Sequence, residues 1–104
     1  MNKDYSMNTN SPISYLRKGG DNAVSMVALS RYTDSTPREV RECIMNARLS
    51  GFIICSNKKG YFIPETEEEL VVWYRTMTTR VKTTLAILKW VESYLDGEEE
   101  SDND

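Results

Sequence analysis

The sequence contains no histidine, and its two cysteines, Cys43 and Cys55, do not have the spacing of a metal site. Histidine is the commonest general base and metal ligand near neutral pH, so its absence removes many hydrolytic and metal-dependent chemistries. Neither cysteine has a histidine to activate it as a nucleophile. We therefore expect a protein that is not an enzyme and holds no cofactor. Both cysteines are expected to be buried or half-buried structural residues.

Long apolar runs are missing as well. No segment approaches the ~20 apolar residues that a membrane span needs, and residues 1–10 lack the apolar stretch of a secretory signal. The chain has 104 residues, 39% of them hydrophobic, which suits one domain of ordinary size. The sequence therefore predicts a protein that enters no membrane and remains in the cytoplasm.

Basic residues are fewer than acidic residues in the whole chain, but not in the segment from residue 17 to residue 59. The formal net charge is −3, yet residues 96–104 carry six acids and no base. Without that tail the chain has 13 bases and 10 acids, and residues 17–59 have eight bases and four acids, an excess of +4. We interpret residues 96–104 as an acidic disordered tail. The tail is either merely solvated, or competes with DNA for the basic face, or contacts a basic partner.

Start and stop signals divide the rest of the chain. Residues 1–10 are polar and predict a disordered leader. Residues 11–64 are expected to hold short helices and a hairpin, and residues 65–95 one long helix. The first short helix is expected to begin after Ser11, with proline at its first position, and to end at Gly19 and Gly20.

The second and third helices have the strongest local signals. Ser25 is expected to cap the second helix, which ends near Tyr32. Thr36 caps the third helix, residues 37–50, and Glu39 stands three residues later, as a capping box requires. The apolar positions of this third helix predict its buried face: Val40, Cys43, Ile44 and Ala47.

A hairpin follows the third helix. Residues 52–55 and 61–63 are rich in β-forming side chains, and residues 57–60 supply turn chemistry in which Gly60 takes a positive φ. We expect Tyr61 and Phe62 to serve core packing more than base stacking. The order of elements predicts a mainly α fold with a small β-hairpin, namely a winged helix-turn-helix followed by one long C-terminal helix.

The third helix and the hairpin tip are the candidate DNA-binding surface. One stripe of the helix, with spacings of 3, 4 and 3 residues, carries Arg38, Arg41, Met45 and Arg48. Arginine donates to both phosphates and guanine edges, and Lys58 and Lys59 at the tip suit phosphate contacts. The alternatives are an ordinary solvated helix face and an ordinary soluble turn, which the sequence leaves open.

The long helix is apolar on two sides, more than one neighbour can cover. We expect a second protomer to cover its distal half in a coiled-coil-like homodimer. The residues expected at this contact are Leu85, Ile87, Leu88, Trp90, Val91 and Tyr94. The alternative is that the helix folds back over the body of its own chain.

Several segments together resemble a known group of proteins. They are residues 22–25, 36–41, 54–56, 60–63 and 65–74, with Ile44, Arg48, Gly51 and Arg80. With these segments, roughly residues 13–92, the chain resembles small winged helix-turn-helix proteins of phages, prophages and mobile elements of low-GC Gram-positive bacteria. The resemblance implies a winged-helix fold and DNA binding or transcriptional regulation. Such recognition helices often carry charge where Met45 and Leu49 stand and a larger apolar residue at Ala47.

The sequence is compatible with two functions from different classes. The first is a dimeric protein that binds duplex DNA and regulates transcription. The second is a winged-helix module that binds a host protein, as an inhibitor or adaptor, and does not bind DNA. The sequence pI of about 5.0 and the apolar Met45 and Leu49 favour the second.

Overall fold

The computed structural model describes residues 11–103, with side chains as far as residue 97. The predicted disordered leader, residues 1–10, lies outside the described residues. The chain divides into two units between Trp73 and Tyr74. In chain order the elements are 3₁₀-helices Pro12–Tyr15 and Gly20–Asn22, helices α1 (Met26–Thr33) and α2 (Pro37–Leu49), strands β1 (Cys55–Asn57) and β2 (Gly60–Phe62), and helix α3 (Glu67–Asn103). The predicted mainly helical fold with a small antiparallel hairpin and a long C-terminal helix is confirmed.

Local caps set the starts of α1 and α2 as predicted. The Ser25 hydroxyl accepts a hydrogen bond from the Ala28 amide at 3.1 Å. At α2 the capping box is complete, since Thr36 Oγ1 accepts from the Glu39 amide at 3.1 Å and Glu39 Oε1 accepts from the Thr36 amide at 2.9 Å. Because these bonds join residues three positions apart, neighbouring residues suffice to define both helix starts.

The core of the first unit lies between α1, α2 and the 3₁₀-helix Pro12–Tyr15, with Val24 and Ile54 added from the connecting segments. Leu29, Val40 and Ala47 have no exposed surface, and Ile44 is only 1% exposed. The predicted buried face of α2 is therefore confirmed. Cys55 is fully buried and Cys43 half-buried, both as free thiols, in agreement with the structural role expected of them.

The hairpin is shorter and begins later than predicted. Residues 52–54 form no strand, and β1 pairs with β2 only from Cys55 opposite Phe62 to Asn57 opposite Gly60. The reason is that this segment serves the end of α2: the Phe52 amide donates to the Ala47 carbonyl at 3.0 Å. β-rich composition alone did not reveal this competing use of the backbone.

The predicted first short helix is present, but it ends earlier than predicted. Residues 12–15 form a single 3₁₀ turn, and Leu16 is already extended. The backbone that follows forms an isolated parallel bridge with Ile63, the residue after β2. The Ile63 amide donates to the Arg17 carbonyl and the Gly19 amide to the Ile63 carbonyl, both at 2.8 Å. These pairings explain why the helix does not reach Gly19.

Val24 forms a further contact with the hairpin. It exchanges two hydrogen bonds with Tyr61, at 2.8 and 2.9 Å, as an isolated antiparallel bridge. The close approach requires glycine at position 60, where φ is +145° and an added Cβ would overlap the Val24 carbonyl. The predicted positive φ at Gly60 is confirmed, with a tertiary contact added to the turn requirement.

Helix α3 begins at a cap and runs further than predicted. Thr66 Oγ1 accepts from the Glu69 amide at 3.2 Å, but the Glu69 carboxylate accepts from the amides of Glu65 and Gly20, each at 2.8 Å. The Glu69 carboxylate thus connects Gly20 to the first turn of α3. The helical backbone passes Gly97, which has no left-handed φ to end it, and reaches Asn103, beyond the predicted boundary at residue 95.

None of the described helices is both long and apolar enough to cross a membrane.

Candidate nucleic-acid interface

Arg38 and Arg41 lie on the exposed side of α2, as predicted. The Arg38 side chain is 84% exposed, and its Nε lies 3.4 Å from the Glu42 carboxylate one turn along the helix. An exposed pair of this kind contributes only about 0.3–0.5 kcal/mol, so Glu42 holds Arg38 weakly. Both arginines are therefore available to an anionic partner.

Arg48 does not lie with them. Its Nε donates to the Ile54 carbonyl at 2.8 Å, and its guanidinium lies 5.0 Å from the centre of the Trp73 ring and 5.8 Å from that of Tyr61. The side chain is half-buried, and burial lowers the pKa of Arg48 despite the nearby Tyr61 and Cys55. Arg48 thus contacts the Ile54 backbone, the hairpin and the second turn of α3, and does not share the exposure of Arg38 and Arg41.

The inward position of Arg48 comes from its neighbours and not from helix rotation alone. At about 100° of rotation per residue, Arg41 and Arg48 lie about 100° and 80° from Val40, so both stand at the border of the buried face. Only Arg48, near the end of α2, reaches the Ile54 carbonyl and the Trp73 ring. Planar guanidinium groups pack well on aromatic rings, and Trp73 offers such a ring. Trp73 also donates from Nε1 to Ser56 Oγ at 3.3 Å, which positions the indole. A tryptophan 25 residues away from Arg48 is a partner that periodicity within α2 cannot predict.

The outward face of α2 ends in apolar side chains. Met45 is 52% exposed and Leu49 80% exposed, and Ile53 just beyond the helix is 53% exposed. We call Met45, Leu49 and Ile53 the apolar edge. With Arg48 turned inward, the exposed surface of α2 changes from basic at its first turns to apolar at its last.

Lys58 and Lys59 form the two-residue tip between Asn57 and Gly60, as predicted. Asn57 Oδ1 accepts from the amides of Lys59 and Gly60, at 2.8 and 3.2 Å, and so holds the turn. Both lysines are exposed, and Lys59 Nζ lies 4.0 Å from Asp21 at the limit of an ion pair. The tip thus presents positive charge on a well-defined turn.

The remaining exposed charges favour an anionic partner for residues 17–59. Seven of the eight bases in this segment are exposed, all except Arg48, against four exposed acids. The excess of exposed positive charge is therefore +3, one less than the sequence count. Such an excess attracts phosphates and accelerates association with them.

The residues expected at a dimer contact belong to the second unit. All six are exposed, from 36% for Val91 to 68% for Trp90. Trp90 stacks on Tyr94 along the same helix, with ring centres 6.1 Å apart. Within the described residues no group of three His, Cys, Asp or Glu side chains could hold a metal ion.

Comparison with known proteins identifies no relative of this chain. No protein-family model, no curated protein and no solved structure matches the chain.

Proposed function

We propose that the protein is a winged helix-turn-helix DNA-binding protein, acting as a transcriptional regulator of the kind found in phages and mobile elements. The observation that carries the proposal is the shared exposure of Arg38 and Arg41 on α2 and of Lys58 and Lys59 at the hairpin tip. Both elements belong to the first unit, and α2 buries its other face in the core. A regulator of this kind works in the cytoplasm of its host.

The order of elements supports the winged-helix assignment. A helical turn, a strand-like bridge at Val24, helices α1 and α2, and a two-stranded hairpin follow one another. In a helix-turn-helix the second helix enters the major groove. We assign that role to α2 and assign phosphate contacts to the hairpin tip.

Salt dependence tests the proposal directly. If the four exposed cations each neutralise one phosphate, the slope of log K against log salt concentration is about −3.6 for duplex DNA. Replacing Arg38 and Arg41 together by alanine should abolish measurable binding in a fluorescence anisotropy titration. Arg17→Ala with Lys18→Ala, which removes the same charge from the same unit, is the matched control and should weaken binding far less. Equal binding by the Arg38/Arg41 variant and the wild-type protein would show that α2 is not the reader.

A second candidate function has its own observation. The apolar edge is unusual for a groove-reading surface, because phosphates and base edges reward polar and charged side chains. It favours a protein partner for α2, as expected of a host-directed inhibitor or adaptor. A Leu49→Glu variant separates the two functions: it should lower DNA affinity modestly by charge repulsion, whereas it should abolish binding to a protein partner.

A further inference from the structure

The second unit is one helical segment with an apolar seam. Helix α3 runs unbroken to Asn103, so residues 74–103 contain no second helix against which their apolar side chains could pack. Val81, Leu85, Leu88 and Leu95 are each more than half exposed. Leaving such a row in water is unfavourable, and a partner helix is the usual solution.

The seam has a heptad spacing. Six positions follow one another at intervals of 4, 3, 4, 3 and 4 residues, and we call them the heptad seam: Met77, Val81, Thr84, Leu88, Val91 and Leu95. This spacing keeps one stripe facing a partner helix over about 27 Å. Leu85 and Ile87 lie on either side of the seam and widen its apolar contact.

Charge along the same helix is divided into two blocks. Residues 75–89 carry four bases and no acid, namely Arg75, Arg80, Lys82 and Lys89. Residues 92–104 carry seven acids and no base, beginning with Glu92 and Asp96. Two copies side by side in parallel would place bases beside bases and acids beside acids. Two antiparallel copies can instead place Glu92 and Asp96 of each copy beside Arg80 and Arg75 of the other.

We propose that the heptad seam is covered by the seam of a second copy of this chain, running antiparallel. Packing seam against seam in that order places Val81 level with Val91 of the second copy, and Met77 level with Leu95. Arg80 then lies level with Glu92 of the second copy, and the opposed helix dipoles add to the preference. The pairing depends only on the second unit and goes beyond the proposed DNA binding.

Disulfide formation between full-length chains tests the orientation. Val81→Cys and Val91→Cys are prepared separately with tags of different mass, then mixed and oxidised mildly. We expect a cross-linked heterodimer in the mixture and little cross-linking of either variant alone, because only antiparallel chains bring positions 81 and 91 together. The wild-type chain, which contains Cys43 and Cys55, gives the background. Cross-linking of each variant with itself would overturn the proposal in favour of a parallel pair.

The molar mass in solution tests whether the seam is covered by a second copy at all. Sedimentation of the wild-type chain should give twice the mass of one chain, and Leu88→Lys should raise the dissociation constant at least about tenfold. Thr83→Lys, on the same helix but outside the seam, is the matched control and should leave the mass unchanged. A wild-type chain that remains monomeric at every concentration would overturn the proposal. Since neither measurement contains DNA, its failure is distinct from failure of DNA binding.

Discussion

Replacing Arg48 by alanine separates a structural arginine from a DNA-reading one. The substitution removes the hydrogen bond to the Ile54 carbonyl and the contacts with the Trp73 and Tyr61 rings. It leaves Arg38 and Arg41 in place on the exposed side of α2. The prediction is therefore a loss of stability, with DNA binding retained by the molecules that remain folded.

The expected loss of stability is the balance of two favourable contributions and one unfavourable contribution. A hydrogen bond from a charged donor contributes about 1.5–3 kcal/mol, and each cation–π contact about 0.5–1 kcal/mol. Against these stands the desolvation of the guanidinium, whose Nη2 is buried without a hydrogen-bond partner within the described residues. That cost of about 1–3 kcal/mol is recovered in the variant. We expect Arg48→Ala to lower the free energy of unfolding by about 2 kcal/mol, and the melting temperature by about 10 °C.

Thermal unfolding followed by circular dichroism measures this change. All samples are held at one protein concentration, because self-association makes the melting temperature depend on concentration. Arg41→Ala is the matched control: it removes the same charge from the same helix at an exposed position and should change stability by less than about 0.5 kcal/mol. DNA binding is then measured well below both melting temperatures.

The two variants should give opposite results. Arg48→Ala is expected to be unstable but to bind DNA, and Arg41→Ala to be stable but to bind poorly. If Arg48→Ala has the melting temperature of the wild-type protein and loses DNA binding, Arg48 contacts DNA and its described position is not the functional one. A variant with lysine at position 48 should lie between alanine and arginine, since an ammonium lacks the planar group that stacks on Trp73.

Three further predictions concern glycines, a carboxylate and the tail. Gly60→Ala should cost at least about 3 kcal/mol in a denaturant titration, whereas Gly51→Ala, where φ is +107° and nothing lies within 4 Å of an added Cβ, should cost only about 1 kcal/mol; equal costs would contradict the Val24 contact. Hydrogen bonds from the amides of Gly20 and Glu65 lower the pKa of Glu69 below its ordinary 4.5, so its contribution is present above pH 4.5 and is lost as the pH falls through the lowered value. Glu69→Gln should therefore flatten the acid side of the stability–pH curve, and an unchanged curve would show that the carboxylate does not matter. Deleting residues 97–104 should raise affinity for duplex DNA by removing negative charge, while a protein-binding module would still show none.

Sequence reasoning succeeded where cause and effect are close along the chain. The capping box of Thr36 and Glu39 joins residues three positions apart, and the tip held by Asn57 is contained in four residues. The buried face of α2 follows from its own periodicity. These signals suffice for the boundaries of α1 and α2, the hairpin tip and the exposure of Arg38 and Arg41.

The failures involve backbone or side chains with a distant competing partner. Residues 52–54 are β-rich, but the end of α2 takes the Phe52 amide. Arg48 has the spacing of an exposed stripe, but it lies beside the buried face and Trp73 completes its surroundings. Glu69 lies in the first turn of α3, yet its carboxylate accepts a hydrogen bond from the Gly20 amide, 49 residues earlier in the chain.

The sequence by itself determined α1, α2 and the hairpin tip, the division of charge along the chain and the heptad spacing of the long helix, because each is a property of neighbouring residues. Only the tertiary structure decided that Arg48 packs against Trp73 and that α2 presents an apolar edge after its arginines. It also decided that a side chain at position 60 would overlap the Val24 carbonyl. Those outcomes depend on which segments meet in space. Physical contact between distant residues, such as Arg48 and Trp73, is set by the packing of the whole unit.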